Sequence, residues 1–249
     1  MSQYHCCRFG CIRIRYSGKY RKALQHDRRA EIKVKTLIIS GGNIETDFAL
    51  SFIKNTEPDY VIGVDRGMKF CYEQQIRPDF IVGDFDSLPY SILEWYKENG
   101  DIPIREYNPV KDATDTMIAL QMALQKRSTE IWILGGTGTR IDHVLCNIHI
   151  LKNAWLAGVP AYLVDSHNRI SLPVEKHFTV RKAEQYGKYV SFFPLGEEVE
   201  GLTLKGFKYP LEGYCLRNLE GLGVSNEISE DVAEVSWEDG ILVMIQSRD

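Results

Sequence analysis

Five short runs of apolar residues constrain this chain most. Leu37-Ile38-Ile39 ends in Ser40-Gly41-Gly42, and Tyr60–Val64 ends in Asp65-Arg66-Gly67. Phe80-Ile81-Val82 ends in Gly83-Asp84-Phe85-Asp86, Ile131–Leu134 in Gly135-Gly136-Thr137-Gly138, and Ala161–Val164 in Asp165-Ser166. A strand that is apolar on both sides needs cover on both faces, which is the situation of a parallel sheet between layers of helix. Helical segments lie between the runs, at Asp47–Asn55, Met68–Gln75, Ser91–Glu98, Ala113–Lys126 and Ile141–Ala157; Ile102-Pro103-Ile104 adds a further short strand. In the last helix Ile141, Val144, Leu145, Ile148, Leu151 and Trp155 form one stripe at helical spacing, closed by Gly158 and Pro160. The alternation predicts an α/β fold over residues 36–168, with a doubly wound, mainly parallel sheet.

From about Arg169 the pattern changes to short extended runs at Phe178–Arg181, Lys188–Phe193, Thr203–Lys205, Val232–Trp237 and Ile241–Gln246. Pro194-Leu195-Gly196 and Asp239-Gly240 punctuate them, the second reading as a hairpin turn. Residues 169–249 are therefore expected to form a small antiparallel β-sandwich domain.

Charge divides the chain differently. Lys+Arg number 30 and Asp+Glu 34, a net of −4 over 249 residues. Residues 1–35 carry 10 basic and 2 acidic residues, a net of +8; the remaining 20 and 32 give the body −12. A body of that sign repels nucleic-acid backbones, so no nucleic-acid partner is expected. Any phosphate it binds calls for a metal between the two negative partners. No apolar run approaches the roughly 18–20 residues that span a bilayer, and the leader lacks the apolar core of a secretory signal. The six cysteines are scattered, as free thiols are in a reducing, cytoplasmic setting. The leader's Cys6-Cys7-x3-Cys11 lacks the second pair of a zinc site. The leader is expected to be a disordered tail or a non-native extension, with a start near Val34.

In open α/β sheets ligands bind beyond the carboxyl ends of the strands. Here those ends are glycine or carboxylate. Glycine lets phosphate approach backbone N–H groups, and carboxylates hold a hard cation such as Mg2+. Asp84-x-Asp86 is the sharpest motif, both carboxylates leaving one buried strand. Asp112-x-x-Asp115 opens the next strong helix, where acids also complement the helix dipole. Gly135-Gly136-x-Gly138-x-Arg140-x-Asp142-His143 links a strand to a helix and is neither a Rossmann fingerprint nor a P-loop. Arg140 suits a phosphate clamp.

Taken in order, SGG at 40–42, GDFDS at 83–87, KDATD at 111–115, GGTGTRIDH at 135–143 with Asn147, DSHNRI at 165–170, SFFPLG at 191–196 and GVSNE at 223–227 resemble the bacterial type of thiamine pyrophosphokinase. The likeness covers about residues 36–249. It implies a nucleotide-binding α/β domain followed by a β-sandwich. The implied reaction transfers the pyrophosphoryl group of ATP to the thiamine hydroxyl, with Mg2+, giving thiamine diphosphate and AMP in a homodimer with shared active sites. It further implies that Asp84, Asp86 and Asp115 hold Mg2+ and the triphosphate, with Asp112 beside them. Gly41, Gly42, Asp65, Gly67, Gly135, Gly136 and Asn147 would line the nucleotide site. Arg140, Asp142 and His143 would serve the phosphate side, with Asp142 or His143 taking the hydroxyl proton. Ser225 and Asn226 would serve the thiamine side. The family's usual Asp-Gly-Gly is Asp65-Arg66-Gly67 here.

Two other readings compete. Phe80–Asp86 also resembles the strand and D-x-D of haloacid-dehalogenase-type phosphatases, with Asp84 as nucleophile, although that motif normally opens its domain. A nucleic-acid-associated module steered by the basic leader is the other, and the acidic body counts against it.

Overall fold

The computed structural model describes residues 33–99, 101–107, 113–138 and 140–249. The leader through residue 32 and Asp112 lie outside the described residues. Five helices follow in order: α1 (Thr46–Thr56), α2 (Gly67–Glu73), α3 (Tyr90–Asn99), α4 (Asp115–Gln125) and α5 (Ile141–Leu156). They alternate with β1 (Lys35–Ile39), β2 (Tyr60–Val64), β3 (Phe80–Gly83), β4 (Ile104–Glu106), β5 (Glu130–Leu134) and β6 (Ala161–Val164). These six strands pair in parallel, in the order β6-β5-β1-β2-β3-β4. From β1 the chain steps outward to β4, then returns to place β5 and β6 on the other side. The direction of winding therefore reverses between β1 and β5, where an open α/β sheet takes its ligands.

The apolar runs are buried as expected. Ile38, Ile62, Val82, Ile131, Ile133 and Leu163 face α4 and α5, while Leu37, Ile39 and Val61 face the α1 side. A helix stripe is read differently by the fold. The buried face of α5 is Asn147, Ile150, Leu151 and Ala154. Ile141 and Leu145, expected in the apolar stripe, are 79% and 54% exposed.

Beyond β6 the large sheet continues in antiparallel fashion. β7 (Asn168–Ser171) folds back on β6, and β14 (Leu242–Ser247), β9 (Tyr189–Pro194) and β12 (Asn226–Glu227) follow outward, giving ten strands. A second sheet holds β11 (Leu211–Arg217), β10 (Glu198–Lys205), β13 (Val232–Ser236) and β8 (His177–Arg181). Phe192 and Met244 of the large sheet pack against Leu202, Leu204 and Val235 of the small one, making the antiparallel sandwich. Asp239-Gly240 does not turn a hairpin: β13 and β14 lie in different sheets, and this turn carries the chain across, with Gly240 at φ 89°. No helix among the described residues is long and apolar enough to cross a membrane.

Candidate active site

The carboxyl rim of the parallel sheet is built by close backbone contact. A Cβ on Gly67 would stand 2.0 Å from the Ile39 carbonyl oxygen, so only glycine lets the β2 loop reach the end of β1. Gly135, at φ 66°, is equally constrained by the Ser40 carbonyl oxygen 2.3 Å from its missing Cβ. The Gly42 amide donates to the Gly135 carbonyl at 2.9 Å. The glycines thus join the β1, β2 and β5 loops into one rim. Asn147 supports it from behind: it is buried, and its amide donates to the Gly136 carbonyl at 2.7 Å.

Three carboxylates converge on this rim. Asp65 ends β2 and Asp84 follows β3, neighbouring strands in which Val64 pairs with Val82. Phe85 is buried against Ile81, Leu88 and Ile92, which pins the loop and leaves the flanking Asp84 and Asp86 on the rim. Asp65 and Phe85 both hold left-handed backbone, at φ 45° and 59°, sparsely allowed for residues with a Cβ. As a result one oxygen each of Asp65, Asp84 and Asp86 comes within 4.8 Å of the others. Asp115, expected in this set, stands outside it among the described residues; Asp65, expected only to line the site, is inside. Asp115 opens α4, whose first turn is tied to β1 by the 2.6 Å contact of Ser40 Oγ with Thr116 Oγ1.

The Asp65 carboxyl is pushed above the usual carboxylate range, chiefly by burial and further by the charges of Asp84 and Asp115. Hydrogen bonds from the Ser87 hydroxyl, at 2.9 Å, and from the Arg66 amide act in the opposite direction. Its Oδ1 is buried without a hydrogen-bond partner. An all-oxygen cluster with an unsatisfied buried oxygen suits a hard divalent cation. A raised folded-state value makes the ionised form costly, so this contribution to stability falls as pH rises through it and is relieved below the ordinary value. Asp65→Asn should therefore melt higher than the parent in EDTA at neutral pH, with the gap closing toward acid. Added Mg2+ should raise the parent's melting temperature and not the variant's. Calorimetry at several pH values checks both.

Arg140, Asp142 and His143 start α5. Arg140 makes a fork to Asp142, Nε to Oδ1 at 3.2 Å and Nη2 to Oδ2 at 2.5 Å, with both side chains exposed. That bond holds the Asp142 carboxyl below the usual carboxylate range. His143 is exposed, and its amide donates to Asp142 Oδ1 at 3.0 Å. A groove of about 470 Å3 runs between α4 and α5 from this point, lined by Met117, Asp142, Leu145 and His149 among others.

Ser225 and Asn226 are elsewhere. Ser225 is exposed, with φ 56°, and its amide donates to Ser191 Oγ at 2.9 Å. Asn226 is buried and clamps Tyr209, accepting from its amide at 3.0 Å and donating to its carbonyl at 2.7 Å. Asn226 belongs to β12, eight strands along the sheet from β3. At ~4.8 Å per strand the sheet separates them by roughly 38 Å.

The comparisons with known proteins match both halves. Residues 53–163 match the family described as Thiamin pyrophosphokinase, catalytic domain, and residues 175–242 match Thiamin pyrophosphokinase, vitamin B1 binding domain. Thiamine pyrophosphokinase of Bacillus subtilis (strain 168) is 36% identical over 188 residues, covering 76% of this chain and 87% of the relative. The chain belongs to the thiamine pyrophosphokinase family. The fold agrees: the crystal structure of the Bacillus subtilis thiamine pyrophosphokinase superposes with a TM-score of 0.77 at 32% identity, over 86% of this chain and 99% of that one. The thiamin pyrophosphokinase structure from Geobacillus thermodenitrificans gives 0.75 at 31%, over 87% and 98%. Membership of the thiamine pyrophosphokinase family makes the chain a transferase, and nothing in these comparisons supports the phosphatase reading. All three converging carboxylates fall within the stretch matching the catalytic domain of thiamine pyrophosphokinase, and Ser225 and Asn226 within the stretch matching its vitamin B1 binding domain.

Ser87 was not among the expected site residues. Its signal is its place in GDFDS, one residue past the second carboxylate and opposite the end of the adjacent strand.

Proposed function

We propose that this protein transfers the pyrophosphoryl group of ATP to the hydroxyl of thiamine, releasing thiamine diphosphate and AMP. The observation that carries the reading is the convergence of Asp65, Asp84 and Asp86 on the carboxyl rim, at the ends of β2 and β3 and beside the point where the winding reverses. These three would hold Mg2+, with Asp115 beside them; the bound ion offsets charge on the phosphate chain. The remaining work is positioning and charge placement, which is what transfer between phosphates chiefly requires. The glycine loops after β1 and β5 bring backbone N–H groups to the rim. Arg140, oriented by Asp142, presents its charge at the start of α5. Asp142 or His143, both at the start of α5, would take the hydroxyl proton. In the transfer the thiamine oxygen bonds to the β-phosphorus, the bond from that phosphorus to the α-bridging oxygen breaks, and AMP leaves.

Residues 36–168 then carry ATP and the metal, and residues 169–249 the thiamine side, including Ser225 and Asn226, with the basic leader outside the chemistry. The separation of about 38 Å means that one copy's β12 cannot serve its own carboxylates. This supports a homodimer in which each active site takes its thiamine side from the other subunit. The exposed Ile141 and Leu145 beside Arg140 supply apolar surface at the place where a second copy would meet the rim. Cys71, Cys146 and Cys215 are free thiols, which suits a cytoplasmic enzyme. A coupled AMP assay tests the reading. Release should require ATP, thiamine and a divalent cation together. AMP formed without thiamine, or orthophosphate as the main product, overturns it.

A further inference from the structure

The rim holds a cation that the reading above leaves unused. Arg66 stands between Asp65 of the carboxylate cluster and Gly67, at the N-cap of α2, with helical backbone (φ −59°, ψ −20°). Its Cβ lies 3.2 Å from where a Cβ on Gly41 would be, so the side chain leaves the backbone against the Ser40-Gly41-Gly42 loop, at the carboxyl end of β1. It is exposed, and among the described residues no hydrogen bond or ion pair holds its guanidinium. Arg140 differs, its fork being taken by Asp142.

The charge balance of the rim makes that position consequential. Asp65, Asp84, Asp86 and Asp115 put four carboxylates at the ends of β2 and β3 and the start of α4. A nucleoside triphosphate adds further negative charge, more than one divalent cation offsets. A cation on the glycine-loop side, opposite the carboxylates, would offset part of that charge together with Arg140. Nor is the Arg66 charge spent on its neighbour: what eases the Asp65 carboxyl is the Ser87 hydroxyl and the Arg66 backbone amide. A planar guanidinium also matches phosphate oxygens in pairs, which a single ammonium does not.

We propose that Arg66 is a phosphate-binding residue of this site, its guanidinium taking the phosphate chain of the nucleoside triphosphate from the β1 side, opposite the carboxylates. The proposal rests on ATP as the substrate of this rim. The test uses the full chain with Mg2+, α,β-methylene-ATP as a non-transferable probe, and the variants Arg66→Ala and Arg66→Lys. Titration calorimetry should show the alanine variant binding the probe at least about tenfold more weakly, the value of one charge-assisted hydrogen bond. The lysine variant should recover part of that loss, keeping the charge without the paired geometry. KM for ATP should rise in step in the alanine variant, while KM for thiamine and the melting temperature stay at parental values. Binding by Arg66→Ala within about twofold of the parent overturns the proposal alone. Equal losses in both variants together with a lowered melting temperature overturn it too, as a structural role. A parent that does not bind the probe at all removes ATP from this rim, and the proposal with it.

Discussion

Asp84→Asn should lower turnover by about a hundredfold to a thousandfold, the scale on which a lost electrostatic contact at a transferring group acts. The substitution keeps the shape and retains an oxygen to accept from the Asp86 amide, now at 3.3 Å. Phe85 still anchors it in the core with Leu88 and Ile92. What disappears is one negative charge of three within 4.8 Å. Far-ultraviolet circular dichroism should match the parent and the melting temperature should not fall, with kcat lost. Asp86→Asn should act in the same direction and less strongly, because Asp86 is exposed and more easily replaced by water. An Asp84→Asn enzyme with a tenth or more of parental turnover removes Asp84 from the metal site.

The second large effect is a recovery. Asp84→Asn disables the rim. Asn226→Ala should disable the thiamine side, because Asn226 holds the Tyr209 backbone through two hydrogen bonds beside exposed Ser225. Each variant alone should be nearly inactive. Mixed in equal amounts and allowed to exchange subunits, they should regain about a quarter of parental activity: random pairing makes half the dimers mixed, and each mixed dimer owns one intact site. The prediction follows from the sheet order, since eight strand steps keep β12 from the carboxylates of its own chain. Activity that stays at the sum of the two parents shows that each chain works alone.

Much of this was legible beforehand because the parallel strands are locally determined. Continuous apolar runs between helical segments left little choice for β1, β2, β3, β5 and β6, and the observed strands overlap the expected runs. The antiparallel half was harder. β7 is the four-residue segment Asn168–Ser171, and β11 has mostly exposed or half-buried side chains, so neither shows clear alternation. Asp239-Gly240 has hairpin chemistry, but it joins strands of different sheets, a choice made by packing between Trp237 and Leu242 and not by the turn. Ile141 and Leu145 sit at helical spacing with Ile148, yet the buried face is turned to Asn147 and Ala154, because Asn147 is drawn inward by the Gly136 carbonyl.

The site divides along the same line. Asp84 and Asp86 are consecutive alternates on one loop and were visible as a pair. The place of Asp65 depended on β2 lying next to β3, which sequential strands often do. The Arg140–Asp142 fork is set by side-chain rotamers at a helix start, which spacing alone does not specify. The distance of Ser225 and Asn226 from the rim was hidden entirely: it depends on β7, β14 and β9 lying between β6 and β12 in the sheet.

The most direct measurement follows the phosphorus atoms. With enzyme, Mg2+, thiamine and ATP in one tube, phosphorus-31 NMR should show the three ATP signals decaying as AMP and thiamine diphosphate rise together in equal amounts, both the β and the γ phosphorus arriving on thiamine. Appearance of ADP with thiamine monophosphate, or of orthophosphate with thiamine unchanged, would contradict pyrophosphoryl transfer at this rim.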